Sequence, residues 1–176
     1  VIGIVIITSD SGFMGGLNQG VMRAGLARQG DLPNDKVFLV VMGDKGAGVI
    51  GDSGRQFKFF QGISQATIYE QALEVKAYLA KEVIARRMGK VIIAYPKPVS
   101  FTAQTIEVIN LLPCGELFEK KPQDEVLPGI KENGIISKAG RVVVESSFFD
   151  MVEYLAGVWL TAKLCEIFED SKLAEF

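Results

Sequence analysis

The residues with the most chemical potential lie at Thr8-Ser9-Asp10-Ser11-Gly12-Phe13-Met14-Gly15-Gly16-Leu17-Asn18, where an apolar run turns into a helical pattern. Hydroxyls, a carboxylate and three glycines at a strand-to-helix turn allow two readings. Free amides at a helix start attract anions, so the turn could cradle a phosphate or carboxylate. Equally, Asp10 could cap amides while Gly15 and Gly16 let a helix press on a sheet. No lysine, the usual companion of a phosphate loop, lies in the stretch. A second candidate is Gly46-Ala47-Gly48-Val49-Ile50-Gly51, formally the glycine fingerprint of a dinucleotide site. It is separated from its strand by Gly43-Asp44-Lys45 rather than following it directly. No further strand is evident before the next helix, and Glu70, at the spacing of a ribose-binding acid, reads as a helix cap. Asp10, Asp44 and Asp52 could meet at one sheet edge and hold a cation. Arg55 and Lys58 with Phe57, Phe59 and Phe60 form a basic-aromatic cluster, open to base stacking or to a half-buried short helix.

Other chemistries are excluded by composition. The 176 residues contain no histidine, which removes His-based triads, histidine metal sites and histidine pH switches. Cys114 and Cys165 are far apart and form no CxxC, so neither a zinc ribbon nor a disulfide framework is expected, and the usage fits a reducing compartment. Nineteen basic residues against 21 acidic ones argue against a general nucleic-acid binder. Apolar residues make up 48% of the chain, with a mean hydropathy of +0.25, so the demand for a core is high. The longest apolar runs, Val1–Ile7 and Val37–Met42, are far shorter than the roughly 20 residues a membrane helix needs.

The elements that must position these residues alternate. Val1–Thr8 and Lys36–Met42 are β-branched runs suited to strands buried on both faces. Between them Gly12 to Gln29 reads as a helix stopped by Gly30. Gly43–Gly54 reads as a loop or a broken short helix. Thr67 and Glu70 form a capping box for a helix with Ile68, Ala72, Val75, Leu79 and Val83 on one stripe. Arg86 and Arg87 fall in its last turn and Gly89 closes it. Lys90–Tyr95 is a third strand. After a turn at Pro96–Pro98, residues 101–112 pair with it as an antiparallel edge ending at Leu111-Leu112-Pro113. Residues 114–139 read as a polar connection and Arg141–Val144 as a short strand. Ser147 caps a last helix with Phe148, Met151, Leu155, Val158, Ala162 and Cys165 on one side. Leu160, Leu164, Ile167 and Phe168 widen its apolar face, so it should have partners on more than one side. From Glu145 onward there are 7 acidic and 2 basic residues, a local net of −5. The expected fold is one α/β domain over residues 1–176. It is three-layered and Rossmann-like, with a mainly parallel sheet, an antiparallel edge and helices on both faces. The chain opens without methionine inside a strand and closes inside a helix, which reads as an internal piece of a longer protein.

The opening turn also carries a family resemblance. It resembles the Thr-Ser-Asp-x-Gly-Leu-Cys-Gly-Gly-Leu-Asn signature of the gamma subunit of rotary (F-type) ATP synthases at Thr8, Ser9, Asp10, Gly12, Gly15, Gly16, Leu17 and Asn18. Phe13 and Met14 depart from the pattern, as in a divergent branch. Gly43-Asp44-Lys45-Gly46, the aromatics Phe57, Phe59 and Phe60, Tyr95-Pro96-Lys97, Gln104 and Leu111-Leu112-Pro113 follow in family order. The resemblance implies a non-catalytic central-stalk domain that passes torque between a membrane ring of c subunits and the catalytic head. It further implies long shaft helices on both sides of this piece, no cofactor, and a structural signature turn. The implied partners are the alpha and beta subunits, an epsilon-type subunit and the c-ring, with no nucleic acid and no direct membrane span. The implied place is peripheral, on the cytoplasmic face of the inner (plasma) membrane. The alternative from the residues alone is a nucleotide- or dinucleotide-binding enzyme using Gly46–Gly51.

Overall fold

The computed structural model describes residues 1–10, 16–100, 103–113 and 147–175. The β-branched runs form strands β1 (Ile2–Ile7) and β2 (Val37–Met42), joined by helix α1 (Leu17–Ala27). Helix α2 (Asp44–Asp52) leads to β3 (Phe57–Phe60), and α3 (Ile68–Ile84) to β4 (Lys90–Ser100). β5 (Ala103–Leu112) and α4 (Phe148–Leu173) complete the described elements. The sheet order is β3-β2-β1-β4-β5. β1 pairs in parallel with β2 and β4, β2 with β3, and only β5 runs antiparallel, against β4.

This is the expected three-layer α/β fold. Alternation along the buried strands splits the core in two. Val5, Ile7, Val40, Met42, Ile93 and Tyr95 face α3 and α4, where they meet Val75, Leu79, Leu164 and Phe168. Ile4, Ile6, Leu39, Val41 and Ala94 face the other way, toward Val21 and Met22 of α1 and Ile50 of α2. α1 lies close on the sheet because Gly25 has no side chain: a Cβ there would stand 2.9 Å from Ile6 Cγ1 and 3.3 Å from the Ala94 methyl.

Several expectations are corrected. Residues 44–52 form a continuous helix, not a loop or broken helix, because its first turn is anchored from outside, as described below. Phe57–Phe60 is a parallel strand, not a short helix, so a strand does stand between α2 and α3. No turn occurs at Pro96–Pro98. β4 runs on to Ser100, its prolines paired opposite Ile106 and Gln104, and the strand pair is correspondingly longer. Thr67 is the N-cap of α3 but makes no side-chain cap bond, since a 3₁₀ turn at Gln65–Thr67 tightens the entry instead. α3 ends at Ile84, so Arg86 and Arg87 lie past its last turn. Arg86 has a positive φ, in the left-handed region. That conformation commonly ends a helix. Arg87 folds back on Glu82.

In α4 the structure separates two apolar faces. The side with Leu155 and Val158 is open, at 53% and 48% exposure. Leu160, Leu164, Ile167 and Phe168 form the face that enters the core against α3 and β4. Gly16 presses on nothing, whereas Gly20 and Gly25 make the close approaches of α1. Gly12, Gly15, Phe101, the polar stretch 114–139 and Arg141–Val144 lie outside the described residues.

Candidate functional site

The first four amides of any helix lack partners inside it. At the start of α2 these are Gly43, Asp44, Lys45 and Gly46, and all four are satisfied by the neighbouring strand ends. Gly43 N–H donates to Phe60 O at 3.1 Å, at the end of β3. Asp44 N–H donates to Asp10 Oδ1 at 3.0 Å. Lys45 N–H donates to Ser9 O at 3.2 Å. Gly46 N–H donates to Thr8 Oγ1 at 2.9 Å, while the same hydroxyl donates to Met42 O at 2.8 Å. The tail of β1 thus plugs the start of α2.

The glycines at this junction have local causes. Gly43 has φ 94°, and a Cβ on it would collide with the Thr8 carbonyl. At Gly46 an added Cβ would lie 2.7 Å from Thr8 Oγ1. Gly62, just past β3, leaves room for the Asp10 carboxylate, which a side chain would displace. Asp10 therefore sits where the exits of β1, β2 and β3 meet. α1 is tied to the same place. Asn18, buried in its first turn, accepts from Ser9 N–H at 3.1 Å and donates to Ser9 Oγ at 2.9 Å. Leu17 opens α1, half-buried, and Gly16 is its N-cap. Ser11, Gly12, Phe13, Met14 and Gly15 lie outside the described residues.

This geometry decides the other candidates. Gly46, Gly48 and Gly51 stand inside α2, and the amides a dinucleotide phosphate would need are taken. Asp10 bonds the first turn of α2 beside Asp44, but Asp52 is the last residue of that helix, at its opposite end. Among the described residues no group of three or more acidic or cysteine side chains could hold a metal. Cys165 is half-buried, and burial pushes its thiol up, away from thiolate chemistry. Cys114 lies outside the described residues. Strand alternation sends Phe57 to the α1 and α2 side and Phe60 to the opposite side, so the aromatics do not make one stacking platform.

One cluster is invisible before the strands are paired. Tyr95 O–H donates to Glu107 Oε2 at 2.8 Å, and Lys97 Nζ lies 2.8 Å from the same oxygen. The Lys97 hydrogen bond, ahead of the opposing effect of burial, holds the Glu107 carboxyl below its usual range. Burial, then the Glu107 bond, pushes the Tyr95 phenol up. Asp170 of α4 faces this group; burial raises its carboxyl, Lys97 opposes, and Glu166 and Glu107 add to the rise. The Tyr95–Glu107 register could have been read from sequence only with the β4–β5 pairing in hand.

The comparisons agree with this architecture. A solved chain of the Tetrahymena thermophila mitochondrial ATP synthase, from a central stalk and c-ring structure, superposes with a TM-score of 0.69 at 17% identity. It is covered over 70% of its length by 99% of this chain. A rotor chain of the Euglena gracilis mitochondrial ATP synthase gives 0.62 at 14% identity, over 99% of this chain and 62% of its own. Among curated relatives, the ATP synthase gamma chain of Prochlorococcus marinus is 26% identical over 147 residues, 81% of this chain and 45% of its own length. That of Lachnoclostridium phytofermentans is 25% identical over 111 residues, 62% of this chain and 38% of its own. The chain thus spans less than half the length of these curated relatives. A family model described as ATP synthase matches residues 1–176. With that match over its whole length, and gamma chains as its curated relatives, the chain belongs to the ATP synthase gamma family.

Proposed function

We propose that this chain is the α/β domain of a central-stalk subunit of an F-type ATP synthase, a non-catalytic rotor part that transmits torque between the c-ring and the catalytic head. It forms one domain over residues 1–176, with the turn from Thr8 to Asn18 as a structural joint. The observation that carries this reading is the plugged start of α2. The amides that would hold a nucleotide phosphate in a Gly46–Gly51 site are engaged by Asp10, Ser9 and Thr8. A torque transmitter needs such internal ties, because load applied to a helix must reach the sheet without slippage. The broad burial of Leu164, Ile167 and Phe168 supports the same reading, since it seats α4 firmly on the sheet side. The partners on this reading are the alpha and beta subunits, an epsilon-type subunit and the c-ring. The place is peripheral, on the cytoplasmic face of the coupling membrane and reached through the complex; no described helix is long and apolar enough to cross a membrane.

The test is co-expression of the full-length protein with the alpha, beta and epsilon-type subunits. The expected result is a stoichiometric complex that hydrolyses ATP, while the protein alone neither hydrolyses ATP nor binds adenine dinucleotides in calorimetry. A folded, monodisperse protein that stays out of the complex would overturn the proposal.

A further inference from the structure

We propose that the notch beside the amino-terminal ends of β2 and β3 is a binding site for an oxyanion of the phosphate class. The β2–β3 register begins at Leu39 and Phe57, so Val37 and Phe38 run on without a β3 partner. A cavity of about 640 Å³ fills that step, lined among others by Asn34, Asp35, Arg55, Phe57, Lys58 and Tyr78.

Two cations line it, and neither has an ion pair among the described residues. Arg55 is held by neutral groups. Its Nη2 donates to Gln29 Oε1 and, at 2.8 Å, to Asn34 Oδ1. Gln29 Nε2 in turn donates to Asn34 Oδ1 at 3.0 Å and to Leu32 O at 2.6 Å, which fixes both acceptors. Amide oxygens orient a guanidinium without cancelling its charge. Of its five N–H donors, these bonds use two and leave three for a ligand. Lys58 is placed in a similar way, over aromatic rings rather than beside a carboxylate. Its ammonium lies 5.1 Å from the Phe60 ring centre. The Tyr78 ring centre is 5.9 Å away. Asp35 is the one carboxylate among the described lining residues, so the notch keeps a net positive charge. An oriented guanidinium suits phosphate oxygens, and the Lys58 ammonium, on the α3 side of the edge strand, adds positive charge to the lining of the same notch. The chemistry fits a free phosphate ion or the phosphate group of a small organic molecule. In the second case the organic part meets a ring on either side of the edge strand, Phe57 on the α1 and α2 side or Tyr78 on the α3 side. This inference is independent of the stalk proposal.

The test is an NMR titration of the full chain at constant ionic strength, with inorganic phosphate in one arm and phenyl phosphate in the other. Saturable shifts centred on Asn34, Arg55, Phe57 and Lys58 are expected. Equal affinity in the two arms identifies free phosphate as the ligand type, and tighter binding of phenyl phosphate an organic one. Arg55→Gln should weaken binding roughly tenfold, the scale of one charged hydrogen bond, and Lys58→Gln severalfold. Lys58 is exposed, so that variant keeps the test decisive if Arg55→Gln disturbs the fold. Unsaturable or scattered shifts in both arms, or saturation unchanged in a folded Lys58→Gln variant, would overturn the proposal.

Discussion

Thr8 shows how much a single hydroxyl does here. It is almost wholly buried, at 2% exposure, donates to Met42 O and accepts from Gly46 N–H. A valine has the same shape but offers no acceptor. Thr8→Val should therefore strand the Gly46 amide and cost about 1–3 kcal/mol, the penalty for an unsatisfied buried polar group. Thr8→Ser, which keeps the oxygen, should lose clearly less. Urea unfolding of the two variants checks this, and equal losses would contradict the assigned role of the hydroxyl. The conformation of Gly43 belongs to the same joint. Its φ is 94°, and the Thr8 carbonyl stands where a side chain would point. Only glycine enters α2 from β2 this way. Types and spacing made these residues visible as a turn. Which amides they would serve was not visible, because Asp10 and Thr8 cap the helix after the next strand rather than the one that follows them.

At the scale of elements, α4 is the instructive case. Its apolar residues cover most of its circumference, so periodicity alone offers more than one face. Packing against α3 and β4 selects the face with Leu164, which is fully buried, and leaves Leu155 at 53% exposure. Leu164→Ala should cost about 2–5 kcal/mol through lost burial and the cavity left behind. Leu155→Ala should stay within about 0.5 kcal/mol, as surface changes usually do. Thermal melts of the two variants in the isolated chain distinguish the faces, and a loss at Leu155 as large as that at Leu164 would contradict the choice of face. β3 is a related case. A four-residue strand with a lysine in it carries little periodic signal, and it becomes a strand because β2 offers Leu39–Met42 as a parallel edge.

Across the whole molecule, unfolding stability should depend on pH through three carboxyls pulling in opposite directions. Glu82 is held below its usual range by its Arg87 hydrogen bond, and Glu107 by that of Lys97. Each contributes stability above its unfolded value, about pH 4.3 for a glutamate, and loses it as pH falls through the lower folded value. Asp170 is raised, chiefly by burial. Its charged form therefore costs stability near neutrality, and that cost fades as pH falls through the raised value. Glu82→Gln should be less stable than the parent at pH 7 and lose less than the parent on acidification. Asp170→Asn should be more stable at pH 7, with the gain vanishing in acid. Guanidinium unfolding at neutral and acidic pH reads both signs, and a reversed sign in either variant would refute the corresponding assignment.

What the sequence determined by itself is the layer order. Continuous β-branched runs can be buried only between two helical layers, and their alternation with helical segments leaves a mainly parallel sheet as the simplest arrangement. The absence of histidine closed off His-based chemistries, the wide spacing of the two cysteines argued against a zinc ribbon, and the Thr8–Asn18 signature pointed to the gamma family. Tertiary structure alone decided which apolar face of α4 is core, that the aromatic stretch after α2 is a strand, that the proline-bearing end of β4 stays paired with β5, and which amides the signature's polar groups satisfy. Each of these depends on partners far away in sequence: a strand edge, a facing helix or an unpaired amide. Local propensity cannot encode such a partner, because the free energy that selects the outcome exists only once both surfaces have met.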